Sequence, residues 1–191
     1  MPVRRVSRFL CWGLAAVACS AALADPPREP RAIWKEVRVD FTYFGRTSRY
    51  SCEGLRGKLQ SLLGQLGARR DLRLIATGCE EFGARPRGGS TPPGARLIFS
   101  VPAFADAAPK PLRSGDLAPV DAHYEPFTIT VDAFRNMGVG DCEVVEDFVR
   151  QVLPKFTIRN LRQDIRCVPY QLSGSRYWVH GEILKAGPAA A

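Results

Sequence analysis

Two histidines, His123 and His180, are all that the 191-residue chain contains. A Ser-His-Asp triad would need one of them, and no Gly-x-Ser-x-Gly turn is present to raise a hydrolase serine. Gly-x-Gly-x-x-G behind a strand, a Walker loop and Cys-x-x-Cys are also missing. These absences argue against dinucleotide, P-loop nucleotide and dithiol redox sites. After the first 24 residues no apolar run is long enough to span the roughly 30 Å hydrocarbon core of a bilayer. With 46% hydrophobic and 24% charged residues, the composition is that of an ordinary globular protein. It excludes full disorder, collagen and coiled coil.

What is present begins at the N-terminus. Arg4, Arg5 and Arg8 precede an apolar run, Phe9 to Ala18, and then small residues ending Ala22-Leu23-Ala24. A basic start, a short apolar middle and an Ala-x-Ala end read as a secretory signal peptide over 1–24, with Asp25 the first mature residue. Two variants differ in detail. Cys19 would carry lipid in a bacterial lipoprotein, but Ala16 stands where such signals usually carry Leu. Arg4-Arg5 resembles a twin-arginine pair, with poor spacing to Phe9-Leu10. Removing the leader leaves 167 residues and lowers the net charge from +8 to +5. That charge is too mild for a nucleic-acid binder, though it suits weak affinity for anionic surfaces.

Four cysteines remain, Cys52, Cys79, Cys142 and Cys167. An even count in an exported chain reads as disulfides, and spacing alone allows three pairings. Local pattern chooses between them. In 34–44, Val37, Val39, Phe41 and Tyr43 alternate with polar residues, as in a half-buried strand. Ser51 then suits a helix N-cap, with Glu53 in the first turn where the dipole favours an anion. Leu55, Leu59, Leu62, Leu63 and Leu66 give one apolar face, and Gly67 stops the helix. Gly54, Gly57 and Gly64 weaken it, so packing must hold it. Strands follow at 72–77 and 96–101, separated by a Gly/Pro loop at 83–94.

The second half repeats the order. Residues 127–131 alternate as a strand. Asp141-Cys142-Glu143 opens a helix with the same cap, cysteine and acid as Ser51-Cys52-Glu53. Val145, Phe148, Val149 and Val152 form its buried face, and Pro154 ends it. Strands at 163–168 and 175–184 close the half. A helix of about 16 residues advances roughly 24 Å. A seven-residue strand returns roughly 23 Å. The strand end therefore lands beside the helix start, which pairs Cys52 with Cys79 and Cys142 with Cys167. The expected fold is α+β, with two strand-helix-strand-strand units at 34–103 and 127–185 and mainly antiparallel sheet. A flexible 25–33, a Pro-rich surface linker at 104–126 and a disordered 186–191 complete the chain. The linker length is compatible with both halves sharing one sheet.

Candidate sites are few. Reactive helix-N-terminal thiols at Cys52 and Cys142 are the alternative to disulfides. Asp121-x-His123-x-Glu125 would place three metal-ligating side chains on one face if extended, although a solvated loop accounts for it as well. His180 alternates with Trp178 and Glu182, a small polar-aromatic patch or the solvent face of an edge strand. The stretch 83–90 is glycine-rich and basic, but Pro92, Pro93 and a strand follow where a phosphate cradle would open a helix. Its Arg85 and Arg87, with Arg69, Arg70 and Arg73, form a candidate basic patch for an anionic envelope component, although a merely solvated surface accounts for them better. Glu80-Glu81 and Glu146-Asp147 read as solubilising surface pairs, since neighbours on a helix diverge by about 100°.

The run Tyr50-Ser51-Cys52-Glu53-Gly54-Leu55, the segments Gly67–Leu72 and Gly78-Cys79, and Gly140-Asp141-Cys142-Glu143 with Val152-Leu153-Pro154 resemble a group of exported proteobacterial proteins with no assigned activity. The resemblance covers most of 34–185 and implies an envelope location, with no catalytic residues or cofactor to carry over. The expectation is a periplasmic or secreted, non-enzymatic binding or accessory factor, whose partner is an envelope protein or an anionic envelope component. The alternative is a hydrolase or redox enzyme with its site between the halves.

Overall fold

The computed structural model describes residues 32–79, 92–104, 119–131 and 136–187. The leader, Arg85, Arg87, Glu80-Glu81 and the centre of the linker lie outside them. Six strands and two α-helices are present among the described residues: β1 (Ala32–Thr42), α1 (Cys52–Gln65), β2 (Arg73–Thr77), β3 (Gly94–Phe104), β4 (Ala122–Thr130), α2 (Cys142–Gln151), β5 (Ile158–Arg166) and β6 (Arg176–Ala186). Short 3₁₀ turns, Val139–Asp141 and Leu153–Lys155, flank α2.

The two halves have one topology. The sheets run β1-β3-β2 and β4-β6-β5, all neighbours antiparallel, so the last strand of each half lies in the middle. The order βαββ is repeated, as the matched Ser-Cys-Glu and Asp-Cys-Glu starts predict. The halves form two separate three-stranded sheets, not one. They nonetheless share a single core, in which Leu55, Leu59, Leu97 and Phe99 of the first half meet Ile129, Phe148, Val149 and Val179 of the second.

Local chemistry explains each element. The Ser51 hydroxyl accepts from the Gly54 amide at 3.1 Å, the N-cap that the sequence calls for. All five predicted leucines of α1 are buried. At its end Gly67 takes φ +84°. The Ala68 amide donates to the Leu63 carbonyl and the Gly67 amide to Gly64, a Schellman close. Each disulfide ties the first residue of a helix to the chain just past the next strand. Cys52 and Cys79 have Cα atoms 5.1 Å apart, and Cys142 and Cys167 5.6 Å. The two predicted pairs are the observed ones.

The boundaries differ from expectation at several strand ends. Ala32 and Ile33 belong to β1, and Ala186 to β6. The expected linker loses both ends to sheet. Phe104 is in β3, Val120 bridges Ala32, and Ala122–Pro126 pair with Glu182–Ala186. That stretch of β4 escapes an apolar-alternation reading because His123, Tyr124 and Glu125 are only half-buried. Pro126 is tolerated because β4 is an edge strand.

Candidate functional site

The junction between the halves is polar, and α2 builds it. Glu143, Asp147 and Gln151 recur every four residues and so lie on one stripe of the helix. This stripe grips the chain between β1 and α1. Gln151 receives the Thr42 amide at 2.9 Å and donates to the Thr42 carbonyl at 2.7 Å. Asp147 accepts from the Phe44 amide at 2.6 Å. Glu143 accepts from the Arg46 and Thr47 amides at 2.9 and 2.7 Å, and from the Tyr43 hydroxyl at 3.3 Å. One residue before the helix, Asp141 accepts from the Tyr50 hydroxyl at 2.6 Å and pairs with Lys58 of α1 at 2.7 Å. Lys58 also donates to the Asn136 carbonyl, and the Asn136 side chain donates to the Gly57 carbonyl. Each helix thus holds the strand-to-helix connection of the other half.

These acids are sequestered. Asp141, Glu143 and Asp147 are 6%, 7% and 3% exposed. Burial lifts the Asp147 carboxyl above its usual value, against the opposing pull of the Phe44 amide and Arg150. Burial also pushes both tyrosines far up. For Tyr50 the Asp141 carboxylate adds to the effect, and for Tyr43 the Glu143 carboxylate does. Tyr43 and Tyr50 meet edge to face, with centroids 5.1 Å apart. The chemistry this arrangement performs is main-chain capture: its three carboxylates are engaged by amides, hydroxyls, Lys58 and Arg150. Asp147 is therefore not the solubilising surface group its pairing with Glu146 implies. Nor is Asp141 a side-chain cap of α2, since its Oδ2 accepts from the Gly138 amide upstream at 2.6 Å. The i, i+4, i+8 recurrence of Glu143, Asp147 and Gln151 is the sequence signal for this stripe. It is easily missed because acids at such spacing usually mark a solvated face.

The remaining sequence candidates fall elsewhere. His123 and Glu125 do share a face, with His123 Nε2 and Glu125 Oε1 2.7 Å apart. They stand on the strand β4, not in a loop. Lys185 takes the third place at 2.9 Å from Glu125, and Asp121 is not brought to them as a side-chain partner. Lys185 first and His123 second hold the Glu125 carboxyl below its usual range. Among the described residues no three His, Cys, Asp or Glu are grouped to hold a metal ion. Arg69 lies over the Trp34 ring at 5.4 Å and hydrogen-bonds Asp71 at 2.9 Å. This pairing lowers the Asp71 carboxyl. Arg69, Asp71 and Arg73, with Glu36 and Arg38, rim a hollow of about 100 Å³ of mixed charge, while Arg85 and Arg87 of the candidate basic patch lie outside the described residues. Arg70 is exposed.

His180 is exposed as predicted, but β6 is the central strand of its sheet, not an edge. Its Nδ1 is 2.8 Å from Thr128 Oγ1 on β4, and its ring is 5.0 Å from that of Trp178. The register sets Arg162 of β5 opposite His180, and Asp164 opposite Trp178. The polar-aromatic patch read from Trp178, His180 and Glu182 therefore extends across three strands. Arg162 joins it through strand pairing that sequence alternation could not supply.

No family model, curated protein or solved structure matches this chain. Among the described residues no helix is long and apolar enough to cross a membrane.

Proposed function

We propose that the chain is exported, loses residues 1–24, and serves as a non-enzymatic binding or accessory factor in the oxidising cell envelope, periplasmic or secreted. The observation that carries this reading is the closure of Cys52–Cys79 and Cys142–Cys167, which uses every cysteine outside the leader. Such bonds persist in oxidising compartments and are rare where glutathione keeps thiols reduced. The basic, apolar, Ala-x-Ala order of residues 1–24 supports the same route. The non-enzymatic part rests on the junction. There the acids and phenols that an enzyme would offer to substrate are engaged with main-chain amides and with each other.

The test is cell fractionation followed by intact mass of the recovered chain. An envelope or secreted fraction starting at Asp25 supports the reading. A Cys19 start with acyl mass would make it a lipid-anchored form of the same factor. A full-length chain confined to the cytosol would overturn the proposal.

A further inference from the structure

The outer face of the sheet β4-β6-β5 carries an ordered set of cations beside aromatic rings. On β5, Arg159, Arg162 and Arg166 follow one another, and Arg176 begins β6. Asp164 engages Arg166 and Arg176 at 3.0 and 3.5 Å, and Glu182 engages Arg159 at 2.8 Å. Four guanidinium groups thus face two carboxylates. Arg162 is exposed and has no ion pair with any described residue. It stands midway along the edge strand β5, in one row with His180 on the central strand and Thr128 on β4. Trp178 lies beside that row, and Tyr124, 4.0 Å beneath the Arg159 guanidinium, marks one end.

We infer that this face binds an acidic polysaccharide, with Arg162 as the principal charge contact. The inference rests on the export reading, which sets the envelope as the place where a partner is met. Spacing favours a linear polyanion over a single small anion. Arg162 and Arg166, four residues apart on the regular part of β5, stand roughly 13 Å apart. Guanidinium groups pair well with carboxylate or phosphate, and the half-buried Trp178 indole beside them offers apolar ring surface for the C–H side of a sugar ring. A lipid surface fits less well. Leu161 is the one large apolar side chain of these three strands that is strongly exposed, too little to enter a bilayer.

The test uses the full chain, exported and oxidised, with polygalacturonate as probe. Neutral dextran, phosphatidylglycerol vesicles and a single-stranded oligonucleotide serve as comparisons. Polygalacturonate is expected to bind, more weakly as salt rises. Arg162→Gln is expected to reduce affinity about tenfold without moving the unfolding midpoint. Arg70→Gln, on the other half, should leave binding unchanged. Trp178→Phe should weaken binding less than Arg162→Gln does. The inference is overturned by any of four results: no binding by exported, oxidised chain; equal loss on Arg70→Gln; wild-type affinity for Arg162→Gln; or preference for vesicles or oligonucleotide. The first of these leaves export standing, whereas a cytosolic chain with free thiols overturns both readings.

Discussion

The Tyr50 hydroxyl donates to Asp141 Oδ1 across 2.6 Å, joining the approach to the first helix to the approach to the second. The two residues are 91 apart in sequence, and both are buried. Replacing Tyr50 by Phe keeps the ring packing and leaves Asp141 with Lys58 and the Gly138 amide only. A loss of about 1–3 kcal/mol is expected in denaturant unfolding. Tyr43 and Tyr50 should also stay protonated where free phenols ionise, near pH 10. In alkaline difference spectroscopy, Tyr43→Phe or Tyr50→Phe should therefore leave the amplitude below the unfolding transition unchanged. A drop in that amplitude would show a solvated phenol.

Asp147 offers a test with a sign. Its carboxyl is raised in the fold by burial, so the native state binds its proton more tightly than the unfolded chain. Its contribution to stability is complete at low pH and declines as pH rises from the ordinary aspartate value through the raised one. Asp147→Asn retains an acceptor for the Phe44 amide and removes this decline, so the variant should gain on wild type as pH rises through that window. Asp147→Ala removes the acceptor and should lose about 1–3 kcal/mol. Neither variant titrates at this position, so the two should differ by a constant offset across pH, and equal stability of the two would contradict the clamp.

Glu125 should behave oppositely. Lys185 and His123 depress its carboxyl, so its contribution is present above the ordinary glutamate value and is lost as pH falls through the depressed one. Its side chain is about a third exposed, and solvent screens the pair. Glu125→Gln should cost less than about 1 kcal/mol at neutral pH and nothing in acid. A cost that persists in acid would show that the ion pair is not its source.

The glycines of α1 separate by conformation. An added Cβ at Gly57 or Gly64 meets nothing within 4 Å. Alanine at either should stabilise by about 0.5–1 kcal/mol through helix propensity. Gly67 has φ +84°, and a Cβ added there would stand 3.0 Å from Lys185 Cγ, so Gly67→Ala should destabilise by about 1–2 kcal/mol. Thermal unfolding of the three variants checks the order, and a stabilising Gly67→Ala would contradict the Schellman close.

Much of this architecture is legible locally. Ser51, the five leucines and Gly67 specify α1 through cap, stripe and stop, and the returning cysteines specify which strand end meets which helix start. The second half is legible because its Asp-Cys-Glu repeats the first. What escapes a linear reading is partnership across about a hundred residues. Glu143 and Asp147 look like solvent-facing acids until the β1–α1 connection is laid on them. The start of β4 looks like linker because its residues, including Pro126, alternate in no apolar pattern. The basic-aromatic face shows the same limit: His180 and Trp178 are visible as alternation on one strand, but Arg162 comes beside them only through antiparallel register.

Each bridge closes a loop of 25–27 residues, and removing either by paired Cys→Ser replacement should cost about 3 kcal/mol on the chain-entropy model. The most direct measurement is a non-reducing peptide map of the chain recovered from cells. Linked peptides joining Cys52 to Cys79 and Cys142 to Cys167, on a chain that starts at Asp25, are the result expected. Free thiols in the recovered protein, or linked peptides that join a cysteine of one half to a cysteine of the other, would contradict it.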